Sequence, residues 1–288
     1  MHNIAAILIT ACIANPGPPI VAPEIAIVID DIGYDSRRGR AAIELTKPFA
    51  YAVLPFAPFA KKLANLAHLQ GKDVILHLPM EAEQDNHLLG PGALRVNMSE
   101  LEVRSIFAKS LAAVPHAIGV NNHMGSRLTT ESKSLNWLMQ SIHDRRNLFF
   151  LDSRTTKGSL ALSIARAARI PATSRDVFLD TVQSRDHVEG QLQLLIKLAK
   201  KNGHALGIAH PYDVTISALA QWRPKHQGVN VVKLSDYMDR YAHRIDRSTP
   251  LRSRQTTSFE RCDQGDHSAA TEYPHAQRER SDQSRRLH

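Results

Sequence analysis

Cysteine is nearly absent from this sequence. The 288 residues contain two, Cys12 and Cys262. Both lie outside the periodic part of the chain, which argues against a structural disulfide and against a zinc–thiolate site. No apolar run reaches the roughly 20 residues of a membrane-spanning helix, so no transmembrane span is expected. Aliphatic residues all but vanish beyond Ser248, where the chain is rich in Arg, Ser, Gln, Asp and His. Residues 248–288 cannot bury enough apolar surface to fold and are expected to form a disordered polar tail. Acidic residues are in deficit: 28 Asp and Glu stand against 36 Lys and Arg, a net charge of +8. That favours contact with anionic surfaces, but no nucleic-acid-binding motif accompanies it, so nucleic acid is not an expected partner.

The front of the chain reads as a leader. Ile4–Ala14 is a short apolar stretch and Asn15–Pro23 a Pro-rich linker, an arrangement that resembles a secretion signal, although residues 1–3 carry no Lys or Arg. The expected location is therefore outside the cytoplasm, in the periplasm or cell envelope. Ile9-Thr10-Ala11-Cys12 also resembles a bacterial lipoprotein box, with Cys12 as the lipidated residue. The plain alternative is a disordered leader with a chance cysteine.

Between these ends the apolar content, 43% overall, is enough for a core, and residues 24–247 read as one domain. Ile25–Ile29 is a continuous apolar run that ends in Asp30 and Asp31, then Gly33. So short a run reads as a strand buried on both faces, hence as part of a parallel sheet. A regular alternation follows. Helices are expected over 36–45, with Ser36 as N-cap, and over 58–70, 99–114, 131–145, 159–168, 184–202, 216–222 and 235–244. Strands are expected over 49–54, 73–76, 117–120, 148–151, 173–179, 205–209 and 229–234. Ser99 and Glu102 form a capping box, and Gly203 closes the helix before it. Sustained β-α alternation points to an α/β fold with a barrel-like or doubly wound sheet.

Unusual residues fall at the strand ends. Asp30, Asp31, His77, His123, Asp152 and His210 each follow an apolar strand, and in a parallel sheet those ends share one rim. Each alone has a bland reading: a helix cap, a solvated carboxylate, a satisfied histidine. Adjacent carboxylates at a buried strand end repel, and a metal, a hydrogen-bond network or one retained proton would offset that. Three histidines and an Asp pair on one rim point to a shared site.

At these residues the sequence resembles a known family. Ile29–Gly33, His77-Leu78-Pro79-Met80-Glu81, Asn121-Asn122-His123-Met124-Gly125-Ser126, Phe150–Thr155, Arg175–Asp180 and Gly207-Ile208-Ala209-His210-Pro211 look like the divergent polysaccharide deacetylases, the YibQ-like branch of the NodB-type carbohydrate esterases, over about residues 24–240. The resemblance implies a distorted (β/α) barrel of about seven strands, a divalent metal at the strand ends and an envelope location. It makes Asp30 the general base and Asp31 a metal ligand. His77 matches the first histidine of the superfamily's His-Ser/Thr-x-x-His motif, while Glu81 stands at the second; His123 is the expected replacement ligand. His210 corresponds to the general acid. The superfamily's Arg-x-Pro-Tyr segment is absent, and no Asp-Trp partner for the acid is visible.

One Asp and two His suit a catalytic zinc or related ion with open positions. The expected activity is removal of N-acetyl groups from an envelope or extracellular glycan, with Asp30 and His210 moving the protons. Glu81 is expected to orient a ligand, to be one, or to form a salt bridge. Asn121 and Asn122 are expected to fix their loop. Asp152, Arg175 and Asp176 are expected to form a buried polar network under the site. The alternative is a non-catalytic envelope protein that uses the same barrel and metal rim to bind glycan or a protein partner.

Overall fold

The computed structural model describes residues 22–242. The signal-like leader up to residue 21, Cys12, the end of the expected domain at 243–247 and the tail at 248–288 lie outside the described residues.

The fold is α/β. Its strands are β1 (Glu24–Ile32), β2 (Ala50–Val53), β3 (Val74–Met80), β4 (Ala117–Met124), β5 (Phe149–Asp152), β6 (Ala172–Ser174), β7 (Val177–Phe178), β8 (His204–Ala209) and β9 (Asn230–Val231). The helices are α1 (Ser36–Ile43), α2 (Ala60–Leu69), α3 (Glu100–Ala113), α4 (Ser132–His143), α5 (Ala161–Ala167), α6 (Arg185–Asn202), α7 (Asp213–Gln221) and α8 (Leu234–Tyr241). The sheet runs β6-β5-β4-β3-β2-β1-β8-β7, with β9 pairing the start of β1. Its strand pairs are parallel.

The two edge strands are consecutive in the chain, separated only by Arg175 and Asp176. The expected single strand over 173–179 is thus two strands on opposite edges, which this short link draws together. The sheet is consequently curled, with eight strands on its path rather than about seven.

Strand alternation divides the side chains into two layers. Ile25, Ile27 and Ile29 face the cluster that holds Leu63, Phe107, Leu138 and Leu195 of the surrounding helices. Ala26 and Val28 face the other way, with Ala50, Ala52, Ile75, Phe149, Leu151, Leu206 and Ile208. This inner face is rich in small residues, as a tightly curled sheet requires, and it closes on Leu234, Tyr237 and Met238 of α8. The last helix is a plug for the inside of the sheet.

Several boundaries differ from expectation. Asp35, not Ser36, caps α1, accepting from the Arg38 N–H at 2.9 Å. His77 and His123 lie within β3 and β4, which run on to Met80 and Met124. The expected strand over 229–234 shrinks to β9. The capping box at Ser99 and Glu102 is present, and Gly203 ends α6 at φ 85°.

Candidate metal centre

The inner layer carries the chemistry. Counting by twos along β1, Ala26 and Val28 lead to Asp30. Ile75 leads to His77 on β3, Gly119 to Asn121 and His123 on β4, and Ile208 to His210 beyond β8. One apolar layer therefore lies between the α8 plug and a polar layer at the C-terminal mouth. Asp152 has the opposite parity, in step with the outward-facing Phe150. Its carboxylate accepts from the Arg154 N–H and the Ser159 hydroxyl, each at 2.8 Å.

Asp31 should also point outward, next to inward Asp30. The register of β1 against β2 shifts between Ile29 and Ile32, and Asp31 has φ 57°. Asp tolerates this left-handed conformation better than most residues, at a cost of about 1–3 kcal/mol. The bulge re-aims the side chain, so both carboxylates meet the same imidazole: His77 Nε2 lies 3.2 Å from Asp31 Oδ1 and 3.7 Å from Asp30 Oδ2.

Asp31 Oδ1, His77 Nε2 and His123 Nδ1 form a triangle with edges of 3.2, 3.0 and 3.2 Å. Asp31 Oδ1 is buried and has no hydrogen-bond partner. Asp30, by contrast, accepts from Asn121 Nδ2 at 2.9 Å. A carboxylate only accepts, so the Asn121 amide must turn its NH2 to Asp30 and its oxygen to His77. The His77 Nδ1–H then donates to Asn121 Oδ1 at 2.8 Å, which leaves the Nε2 lone pair facing Asp31. A lone pair, an orphaned carboxylate oxygen and a second imidazole nitrogen fit a cation at their centre. The three atoms lie close enough together to share one ion. Among the described residues, these three form a group that could hold a metal ion.

The electrostatics agree. Burial pushes the Asp31 pKa up, but the facing His123 and His77 imidazoles bring it well below the usual carboxylate value. Burial opposes charge on His77, yet Asp30 and Asp31 raise its pKa. Asp30 is raised, chiefly by burial. The site as a whole demands positive charge.

His210 stands apart from the triangle with a carboxylate of its own. Its Nδ1–H donates to Asp180 Oδ1 at 2.9 Å, while Asp180 Oδ2 accepts from the His210 N–H at 2.6 Å and from the Thr215 hydroxyl at 2.9 Å. Burial lowers the His210 pKa, but Asp180, with Asp31 and Asp30 contributing, raises it to about 10. The absence of an Asp-Trp motif had hidden this partner. Asp180 sits just past β7, at the end of the stretch expected as a strand over 173–179, and it reaches His210 because β7 pairs β8.

The remaining candidates brace loops. Glu81 touches none of the three histidines; it accepts from the Val96 N–H at 2.8 Å and lies 3.7 Å from Arg127. Asn122 fixes its own loop, donating to the Met124 carbonyl and accepting from the Ser153 N–H. Asp152 and Arg175 meet through the backbone, the Arg175 N–H donating to the Asp152 carbonyl at 3.0 Å. Arg175 donates to the Ser153 and Arg154 carbonyls, and exposed Asp176 accepts from the Leu206 N–H.

The chain belongs to the divergent polysaccharide deacetylase family, whose profile matches residues 27–238. It is 34% identical over 245 residues to the uncharacterized protein YibQ of Escherichia coli (strain K12), covering 85% of this chain and 76% of that one. It is 35% identical over 196 residues to an uncharacterized protein of Haemophilus influenzae, covering 68% and 69%. Among solved structures, an uncharacterized protein of Agrobacterium tumefaciens C58 superposes with a TM-score of 0.72 at 25% identity, covering 77% of this chain and 92% of that one.

Proposed function

We propose that this protein is an exported, metal-dependent hydrolase that removes N-acetyl groups from an envelope or extracellular polysaccharide. The observation that carries the reading is the buried Asp31 oxygen without a hydrogen-bond partner, facing two imidazole nitrogens. Asp31, His77 and His123 would hold the ion, zinc being the first choice for this donor set. When bound, such an ion lowers the pKa of a water and polarises an amide carbonyl.

The chain's own groups do the rest. Asp30 is buried beside the triangle with an elevated pKa, which suits it to accept the proton of the attacking water. Asn121 fixes the Asp30 carboxylate and the His77 ring together. His210, kept protonated at neutral pH by Asp180, delivers a proton to the departing amine. Base and acid come from separate strand ends, as proton removal at the water and proton delivery at the nitrogen require.

The test is metal content. Full-length protein purified without chelator, then offered zinc, should carry close to one equivalent by elemental analysis, and the His77→Ala, His123→Ala double variant should carry almost none. Acetate release from N-acetylated glycans should then follow the metal. Wild type that takes up no metal would remove the hydrolytic mechanism.

A further inference from the structure

The loop after β2 reads Pro55-Phe56-Ala57-Pro58-Phe59. Phe56 has φ 61°, a left-handed conformation that is a genuine outlier for a bulky residue. Despite that strain the residue is 44% exposed. Strain normally persists where packing enforces it, and here the residue is half in solvent. Phe59 is 37% exposed and Tyr34 49% exposed. The three are carried by adjoining segments. The Leu54 N–H donates to the Ile32 carbonyl and the Phe59 N–H to the Gly33 carbonyl, each at 2.9 Å, so the loop is tied to the turn that follows Asp31 and carries Tyr34.

A third segment borders them. A Cβ on Gly90 would sit 2.6 Å from the Tyr34 hydroxyl, and one on Gly92 2.7 Å from the Phe56 ring. Both glycines have positive φ, 72° and 82°. The Gly90-Pro91-Gly92 turn therefore lies against the aromatic edges while their remaining surface stays open. Two prolines stiffen the loop, so the rings lose little freedom when something stacks on them.

We infer that Tyr34, Phe56 and Phe59 form a carbohydrate-stacking subsite, which holds sugar units flanking the one at the metal centre. The occupant follows from place and chemistry. The surface continues directly from the strand end that supplies Asp30 and Asp31, and an aromatic face packs well against the C–H-rich face of a pyranose ring while ring edges and the Tyr34 hydroxyl remain polar contacts. The inference rests on the glycan reading above and extends it by naming the residues that hold the units next to the reacting one.

The test uses full-length, zinc-loaded protein and β-1,4-linked N-acetylglucosamine oligomers of one to six units, with affinity read by calorimetry and acetate release in parallel. Wild type should bind longer oligomers progressively more tightly. Phe56→Gly should retain metal and keep or raise Tm, because glycine relieves the strain, while losing about three- to tenfold in affinity for the hexamer. Adding Tyr34→Ala should abolish most of the length dependence. Hexamer affinity unchanged in the double variant overturns the subsite, even if acetate release continues. A drop in Tm for Phe56→Gly would make the ring a structural prop and overturn it too. Length-dependent binding lost in the double variant, without acetate release from wild type, would support the subsite and sink the hydrolase. Wild type that binds no oligomer but self-associates through these rings would assign the surface to a second copy and overturn the proposal.

Discussion

Two carboxylate–histidine groups lie at the mouth of this sheet, and they are built in opposite ways. Asp180 is saturated: three donors from His210 and Thr215 occupy its oxygens. Asp31 is left short: its Oδ1 faces two histidine nitrogens and has no hydrogen-bond partner. A saturated pair stabilises a proton on its imidazole. An unsaturated triangle, with the His77 Nδ1–H already given to Asn121, presents lone pairs to a cation. On the proposed reading the same two residue types would serve proton transfer in one place and metal capture in the other, with the neighbouring hydrogen bonds deciding which.

The comparison can be broken at either end. The largest effect is expected from the His77→Ala, His123→Ala double variant, which should lose metal almost completely, along with any zinc-dependent rise in Tm; a scan with and without zinc checks this. Asp30→Asn should keep the metal but lower turnover by about 10²–10⁴-fold, read as acetate release at matched zinc content. Asn121→Ala touches the unsaturated group alone. It frees the His77 ring and should weaken metal affinity by about 10–100-fold, measured by competition with a chelator.

Asp180→Asn touches the saturated group alone. It should leave metal content unchanged and move the alkaline limb of the pH–rate profile downward, since the carboxylate is what chiefly raises the His210 pKa. The smallest effect is on stability. A histidine raised in the folded state stabilises fully below its unfolded value of about 6.5 and loses that contribution as pH rises toward about 10. Denaturant midpoints should therefore fall between those limits in wild type, and less steeply in Asp180→Asn.

The rim was legible in the sequence because parallel strands end together, and apolar runs mark where they end. Asp30, Asp31, His77, His123 and His210 all come to it. What the linear pattern hides is adjacency between distant strands. Asp180 meets His210 because β7 pairs β8, and nothing in residues 173–179 announces that this stretch divides between opposite edges. Asn121 bridges Asp30 to His77 through a register of β3 against β4 that sets His77 opposite Asn121. Period-two counting would have separated inward Asn121 from outward Asp152. Asp31 defies that count, since only the bulge turns it inward.

The centre of the sheet joins the beginning of the described chain to its far end: Glu24 of β1 lies opposite His204 of β8. A ribosome adds roughly 5–20 residues per second, so β1 waits on the order of ten seconds or more for its second neighbour. Until then its five-residue apolar run has an unpaired flank, and Asp31 hangs from a half-built strand. Such non-local pairing makes for slow folding, and a chain that must wait for its own later segments before closing stays threadable for as long as it waits.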